Sequence, residues 1–226
     1  MLLAKIISTK TLFWYNDGMG YNFLPPGMPL IKRLFDLLAS SLAILILSPV
    51  YLVVSLALLL SEGRPLLFRQ PRPGYRGSIF LCNKFRTMRQ LVDGSGSPLP
   101  DSQRVSGIGR FLRAASLDEL PELFNVFWGE MSLVGPRPLL VKYLERYSPE
   151  QARRHDVYPG ITGWAQINGR NSLSWEDKFL LDIWYVEHWS LGLDIKILFL
   201  TVWKVLAREG INQAGQATAE EFKGSK

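Results

Sequence analysis

From residue 37 to residue 60 the chain runs for 24 positions without a charged side chain, LLASSLAILILSPVYLVVSLALLL. As one helix rising ~1.5 Å per residue it would be about 36 Å long, enough to cross a ~30 Å hydrocarbon core. Helices apolar on every side are rare inside domains this small, so a buried core helix is the weaker account. The stretch is also too long and too far along the chain for a cleaved signal peptide. Ser48-Pro49 interrupts it near the middle. Proline has no N–H and clashes with the carbonyl four residues back, which predicts two limbs, 37–47 and 50–60, each about 16 Å and half a hydrocarbon core in length. Lys32 and Arg33 precede the stretch, and Arg64, Arg69 and Arg72 follow it. Basic flanks favour the cytoplasmic side, so both ends belong there, and a re-entrant helix-break-helix satisfies length and charge together. A kinked spanning helix is the alternative, with one basic flank outside.

The remaining charge is concentrated. The chain has 226 residues and a formal charge of +6, yet residues 64–113 hold ten cationic side chains against Asp93 and Asp101, a segment charge of +8. Everything else sums to −2, so an anionic partner is expected at that segment: nucleic acid, phospholipid head groups or a phosphorylated small molecule. Cys82 is the only cysteine, which excludes an internal disulfide and a cysteine-rich zinc site. His155 and His188 lack ligand spacing, and neither a phosphate-binding G-x-x-x-x-G-K-[ST] nor a dinucleotide G-x-G-x-x-G occurs.

Residues 1–27 are aromatic-rich, end in Pro-Pro-Gly, and read as an extension of unknown role; residues 28–63 make the membrane unit and 64–226 the head. Within the head, residues 78–86 have the content of a strand, 94–100 of a loop, and 139–147, 175–189 and 193–208 of helices. The last helix carries an apolar stripe, Ile195, Leu198, Phe199, Val202, Trp203 and Leu206, which suits either a core helix or one lying in the head-group plane. The fold class expected is α+β and mostly helical.

Three blocks carry residues able to do chemistry. Ser116 and Glu119 have capping-box spacing and Pro121 suits a first turn, so a helix is predicted from Ser116, with Asp118 and Glu119 at its N-terminus. There the macrodipole favours ionised carboxylates, either as ordinary caps or, beside Arg110 and Arg113, as a nucleophile or Mg²⁺ ligand facing bound phosphate. Arg137 lies between Pro136 and Pro138, a stiff turn or an oxyanion clamp with little entropy left to lose. The loop 159–170 ends in Asn-Gly-Arg, and its Gln166, Asn168 and Arg170 have groups to read a sugar or nucleotide. No D-x-D occurs, which removes the usual ligand pair of metal-dependent nucleotide-sugar glycosyltransferases.

Four ordered motifs, KFRTM from Lys84, SLDELPELFNV from Ser116, MSLVGPRP from Met131 and PGITGWAQINGR from Pro159, resemble the bacterial sugar transferase family of monotopic phosphoglycosyl transferases. The resemblance spans about residues 28–226, and the tail residues 215–218 and 222–224 are similar to its small branch, which moves phospho-bacillosamine. It implies transfer of a sugar 1-phosphate from a UDP-sugar, with UDP-N,N'-diacetylbacillosamine or a related N-acetylated sugar first in line, to polyprenyl phosphate, releasing UMP. By position, Asp118 is then the nucleophile, Glu119 its partner in a Mg²⁺ site, and Lys84, Arg86, Arg113, Pro136, Arg137, Gln166 and Arg170 the substrate-binding residues. Ser48 and Pro49 match the re-entrant break. The expected partners are the two substrates and anionic membrane lipids at the cytoplasmic face of a bacterial inner membrane, not nucleic acid. A tethered anion-binding protein without chemistry is the rival reading; a phosphatidyl-transferring enzyme would need clustered aspartates, and Asp36 stands alone.

Overall fold

The computed structural model describes residues 23–97, 99–169, 173–207 and 221–224. It opens with two helices, α1 (Leu30–Ile46) and α2 (Ser48–Glu62), which meet at Leu47 with a bend of 58°. The break falls one residue ahead of the predicted Ser48-Pro49, because a helix accepts proline in its first turn, and Pro49 starts α2. The carbonyl that Pro49 cannot serve is that of Leu45, and Ser48 Oγ donates to it at 2.8 Å. The dipeptide therefore ends one helix and begins the next without leaving a bare polar group at the joint.

The limbs are longer than predicted, 17 and 15 residues instead of 11 each, because the charged residues upstream are drawn into α1. Lys32 and Arg33 do not flank the apolar stretch as free cations. With Asp36 and Ser40 they form one stripe of α1 at helical spacing, and all four are buried. Lys32 Nζ donates to Asp194 Oδ2 at 2.5 Å and to the Val134 carbonyl at 3.1 Å. The Arg33 guanidinium donates to the Val126 and Phe127 carbonyls, both at 2.8 Å. Asp36 Oδ1 accepts from the Leu133 amide at 3.2 Å. The opposite side of α1 exposes Leu30, Leu34, Leu38, Leu42 and Leu45, and α2 exposes Leu52, Val53, Leu56 and Leu60. A charged stripe inside and a leucine stripe outside is the reverse of a helix in water, and an exposed apolar patch of this extent suits a membrane or a partner surface. Among the described residues no single helix is long and apolar enough to cross a membrane.

After α2 come an antiparallel pair, β1 (Leu67–Pro73) and β2 (Ile79–Phe85), in register from Leu67↔Phe85 to Pro73↔Ile79. Short helices α3 (Asp101–Arg104) and α4 (Gly107–Ala114) follow, the latter capped by Ser106 Oγ on the Gly109 amide. Then come α5 (Glu122–Trp128), β3 (Ser132–Val134), α6 (Pro149–Ala152), β4 (Gly160–Thr162) parallel to β3, α7 (Trp164–Ile167), α8 (Trp175–Glu187) and α9 (Leu191–Leu206). The α+β, mostly helical class is as expected, and β2, α8 and α9 lie where the sequence pattern put them. The segment 139–147 differs: it forms a 3₁₀ stretch, Val141–Arg146, instead of an α-helix.

The main core joins Phe80 and Cys82 of β2, Leu123 and Val126 of α5, Met131, Leu133 and Val134 around β3, Tyr185 of α8 and Ile197 of α9. Helix α9 meets the core mainly through residues outside its apolar stripe, with Leu198 the stripe residue that packs against it. Ile197 and Asp194 face inward, whereas Ile195, Phe199, Val202 and Trp203 are exposed along the other side.

Asp194 is enclosed by Lys32, the Tyr185 hydroxyl at 2.7 Å and Trp189 Nε1 at 3.1 Å, with no exposed surface. Asp194→Ala should therefore cost about 3–5 kcal/mol, because Lys32 is left buried without its counter-charge. Replacing Lys32 and Asp194 together by Met and Leu should recover most of that loss. Thermal unfolding in detergent micelles measures both, and equal losses in the single and double variants would refute the pairing.

Candidate active site

The site is assembled from three separate pieces of chain. Lys84 lies on the same face of β2 as Cys82, since alternate strand residues share a side. Beyond α4, Ser116 turns the chain in the left-handed region at φ 54°, and Leu117–Glu119 forms a single 3₁₀ turn that presents Asp118 and Glu119. Helix α5 then starts at Glu122, with Pro121 in the capping position. Arg137 follows β3 in the Gly135-Pro136-Arg137-Pro138 loop.

That loop is seated by glycines. A Cβ on Gly135 would collide with the Tyr158 carbonyl, and one on Gly160 or Gly163 would collide with the backbone of Gly135. The Gly160 amide also donates to the Pro136 carbonyl at 3.1 Å. The motifs around Arg137 and Gly160 are thus two backbones in direct contact, which explains their glycines without reference to a ligand.

The charges converge on Glu119. Its Oε1 accepts from Lys84 Nζ at 2.7 Å and from the Arg137 guanidinium, and Lys84 also pairs with Glu122 Oε1 at 3.1 Å. Burial works against an ionised Glu119, but Arg137 and Lys84 outweigh it and hold its carboxyl well below the ordinary range. Burial likewise opposes the Lys84 ammonium, and the two glutamates overcome it, so its pKa lies above that of free lysine. Glu122 goes the other way: burial raises it, and Lys84 compensates only in part. Asp118 is also raised, by burial first and by the Glu119 charge second, against the pull of Lys84, Arg137 and Arg113. Among the described residues no hydrogen bond or ion pair engages the Asp118 carboxylate.

Two expectations about this region change. The predicted capping box does not form: Ser116 makes no side-chain cap, because its left-handed backbone points the chain into a 3₁₀ turn instead of a helix start. Asp118 is correspondingly not favoured in its ionised form by a helix terminus; the fold disfavours its charge, as the raised pKa shows.

Of the residues singled out from sequence, Lys84, Asp118, Glu119 and Arg137 come together, with Arg113 near enough to act on Asp118 and its Nε on Thr87 Oγ1 at 2.9 Å. Arg86 is elsewhere. It donates to the carbonyls of Glu62, Gly63 and Arg64 at 2.5, 2.9 and 3.3 Å and so closes the C-terminal end of α2. Gln166 sits on α7 with Nε2 on the Ile161 carbonyl at 3.1 Å and a buried Oε1 without a protein partner. Arg170 lies outside the described residues.

Three contributors escaped the sequence reading. Glu122 shares Lys84 with Glu119, and its spacing of i,i+3 from Glu119 was a usable signal. Arg154, paired with Asp182 at 2.7 Å, donates to the Arg137 carbonyl at 2.8 Å. Tyr51 of α2 donates to the Leu120 carbonyl at 2.6 Å. No local pattern announces the last two, since each spans a large sequence separation.

The donor chemistry suits Mg²⁺, which takes oxygen ligands and commonly relies on one or two carboxylates plus substrate phosphates. Asp118 has both oxygens unengaged for it. Glu119 would contribute only after Lys84 and Arg137 shift toward an incoming phosphate, since they now occupy its oxygens. Among the described residues no cluster of three or more His, Cys, Asp or Glu offers a self-sufficient metal cage.

A carboxylate pair ringed by cations thus lies in the same molecule as two helices with an apolar outer face. The chain belongs to the bacterial sugar transferase family, whose sequence model matches residues 28–208. It is 54% identical over 196 residues to the uncharacterized sugar transferase EpsL of Bacillus subtilis, covering 87% of this chain and 97% of that one. It is 42% identical over 183 residues to the UDP-glucose:undecaprenyl-phosphate glucose-1-phosphate transferase of Klebsiella pneumoniae, covering 76% of this chain and 39% of that protein. The undecaprenyl-phosphate galactose phosphotransferase of Salmonella typhimurium is 38% identical over 199 residues, 80% of this chain and 41% of its own. The chain thus spans less than half the length of the latter two proteins and nearly all of EpsL.

The two neighbouring carboxylates should respond oppositely to neutralisation. Above both its folded and unfolded pKa values, ionised Asp118 is a charge that folding disfavours, so Asp118→Asn should raise the melting temperature at pH 7. The gain should shrink as pH falls through the raised folded value and vanish below the ordinary aspartate pKa of about 3.9. Glu119→Gln should lower stability by about 1–3 kcal/mol at pH 7, because Lys84 and Arg137 lose a half-buried counter-charge. Thermal melts across pH 3–8 check both signs.

Proposed function

We propose that this protein is a phosphoglycosyl transferase moving a sugar 1-phosphate from a UDP-sugar to polyprenyl phosphate through a covalent Asp118 intermediate. The observation that carries the reading is an unengaged carboxylate, Asp118, beside a cluster of cations, Lys84, Arg137 and Arg113, whose charge suits a phosphate. An Asp118 oxygen attacks the sugar-bearing phosphorus, the bond from that phosphorus to the bridging oxygen breaks, and UMP leaves with the electron pair. A phosphate oxygen of the polyprenyl phosphate then attacks the same phosphorus, releases the carboxylate and carries away the sugar as a lipid diphosphate. Neither step needs a general base, because carboxylate and phosphate are already anionic. Lys84 and Arg137 supply charge stabilisation where the equatorial oxygens gather negative charge. Mg²⁺, when bound at Asp118, would neutralise diphosphate charge and help UMP depart. A covalent intermediate suits a reaction in which one substrate is water-soluble and the other lipid-borne, since the two visit in turn.

The seat of this chemistry is the cytoplasmic face of the bacterial inner membrane, with α1 and α2 re-entering the same leaflet. The reversed polarity of α1 supports it, because the apolar stripe needs an apolar phase while the charged stripe is used within the protein. The +8 segment suits anionic lipid head groups as well as the diphosphate. The sugar we assign is UDP-N,N'-diacetylbacillosamine or a related N-acetylated donor, on the resemblance of the tail to the small branch. Relatives named for glucose and galactose make UDP-glucose and UDP-galactose the competing donors.

With UDP-sugar alone, wild-type enzyme should release UMP up to one equivalent and gain a hydroxylamine-labile sugar-phosphate mass on the peptide holding Asp118. Asp118→Asn should lose turnover by several orders of magnitude. Because the nucleophile must be ionised, the rate of adduct formation should fall on the acid side at a pH above the ordinary aspartate value of about 3.9. UMP appearing only when polyprenyl phosphate is present, with no adduct under rapid quench, would sink the covalent step. A donor panel with undecaprenyl phosphate decides the sugar.

Topology has its own test. Single cysteines introduced at residues 30 and 64, in a Cys82→Ser background, should both resist a membrane-impermeant maleimide in intact cells and react after permeabilisation. External labelling at either position would establish a span.

A further inference from the structure

The catalytic turn is not held by its own helix. It enters through Ser116 in the left-handed region, which costs a non-glycine residue about 1–2 kcal/mol, and it lacks the side-chain cap that would ordinarily brace such a start. Neither Asp118 nor Ser116 bonds a neighbouring element through its side chain among the described residues. Besides the Glu119 ion pairs to Lys84 and Arg137, the turn is held by packing and a hydrogen bond that reach it from α2. Leu117 and Leu120, on either side of Asp118 and Glu119, pack into the cluster of Val54, Leu58, Phe85 and Leu112. The Tyr51 hydroxyl, in the first turns of α2, donates to the Leu120 carbonyl at 2.6 Å. That carbonyl also accepts the Leu123 amide at 3.0 Å, so it is the hinge between catalytic turn and α5. The Tyr51 ring is itself clamped, at 6.0 Å from Phe85 and 5.6 Å from Phe124, both edge or tilted contacts.

We propose that Tyr51 is a positioning residue: its hydroxyl ties the catalytic turn to α2, so the seating of the helix pair sets where the Asp118 carboxylate stands against the phosphate-binding cations. The hydrogen bond is short and part-buried, and the Tyr51 ring packs with the cluster of Val54, Leu58, Phe85 and Leu112, surroundings in which a hydrogen bond is stronger than in water. It also crosses from the element with the apolar outer face to the element with the chemistry, the only side chain-to-backbone bond among the described residues to join α2 to that turn. The inference rests on the reading of Asp118 as nucleophile for its catalytic consequence, while the tether itself does not.

Tyr51→Phe tests it, because the variant keeps the ring between Phe85 and Phe124 and removes only the oxygen. Two readouts are compared in enzyme reconstituted in lipid nanodiscs. Hydrogen exchange of the peptide covering 116–123 should become at least fivefold faster, with α8 peptides unchanged. Single-turnover UMP release from UDP-sugar should slow about tenfold, with KM changing less than twofold and the membrane-bound fraction and melting temperature near wild type. Unchanged exchange at 116–123, or faster exchange with a wild-type release rate, would overturn the proposal, and so would failure of the variant to fold, which would make the hydroxyl a general structural requirement. If the wild type released no UMP from any donor, the proposed reaction would fall while the exchange comparison still judged the tether.

Discussion

Lys32 and Asp194 lie 162 positions apart in sequence and 2.5 Å apart in space, and the placement of everything else follows from that buried pair and its neighbours. An ion pair taken out of water contributes little net stability, since desolvation offsets most of the attraction. What it supplies is orientation. With Arg33 on the end of α5 and Asp36 on the backbone of Leu133, it allows α1 one rotation about its axis, the one that turns the leucine stripe outward. An apolar helix without such a charged stripe would bury its leucines against the core and leave the head with no fixed relation to an apolar phase.

The same logic of competing charges runs through the active site. Glu119 and Asp118 are adjacent in sequence, yet one is held ionised by two cations and the other is pushed toward its neutral form. Lys84 and Arg137 share Glu119 as counter-ion, which offsets their mutual repulsion. In the proposed reaction a diphosphate would offer them stronger anionic partners and leave Glu119 free to engage elsewhere. Asp118, by contrast, makes no hydrogen bond or ion pair among the described residues, so the proposed attack would require no partner to be dislodged from it. Lys84, Arg113, Asp118, Glu119, Glu122 and Arg137 all lie within the stretch 28–208 that matches the family model.

Much of this was legible in the residues. The uncharged run and its serine-proline interruption correspond to the bent pair α1 and α2, because composition over tens of residues reports the surroundings a segment can tolerate. Asp118, Glu119 and Arg137 stood out by type and spacing and Lys84 by its place in a family motif, and the four converge. Arg86 places its guanidinium on the carbonyls at the end of α2, which its position in the sequence does not disclose, because arginine donates to carbonyl and phosphate oxygens alike. The capping box at Ser116 failed for a related reason: spacing alone does not disclose that the preceding turn arrives with a positive φ.

What the sequence by itself determined is the set of local preferences: where helices end, which stretch avoids water, and which side chains are able to bind phosphate or attack it. Tertiary structure decided the partners. It took Lys32 and Arg33 from presumed membrane flanks into the protein interior, set Glu122 beside Lys84, and put the hydroxyl of Tyr51 on the carbonyl of Leu120. These contacts join segments from 38 to 162 residues apart in the chain. No periodicity reaches that far, because the free energy of such contacts comes from desolvation and burial that exist only once the layers have packed.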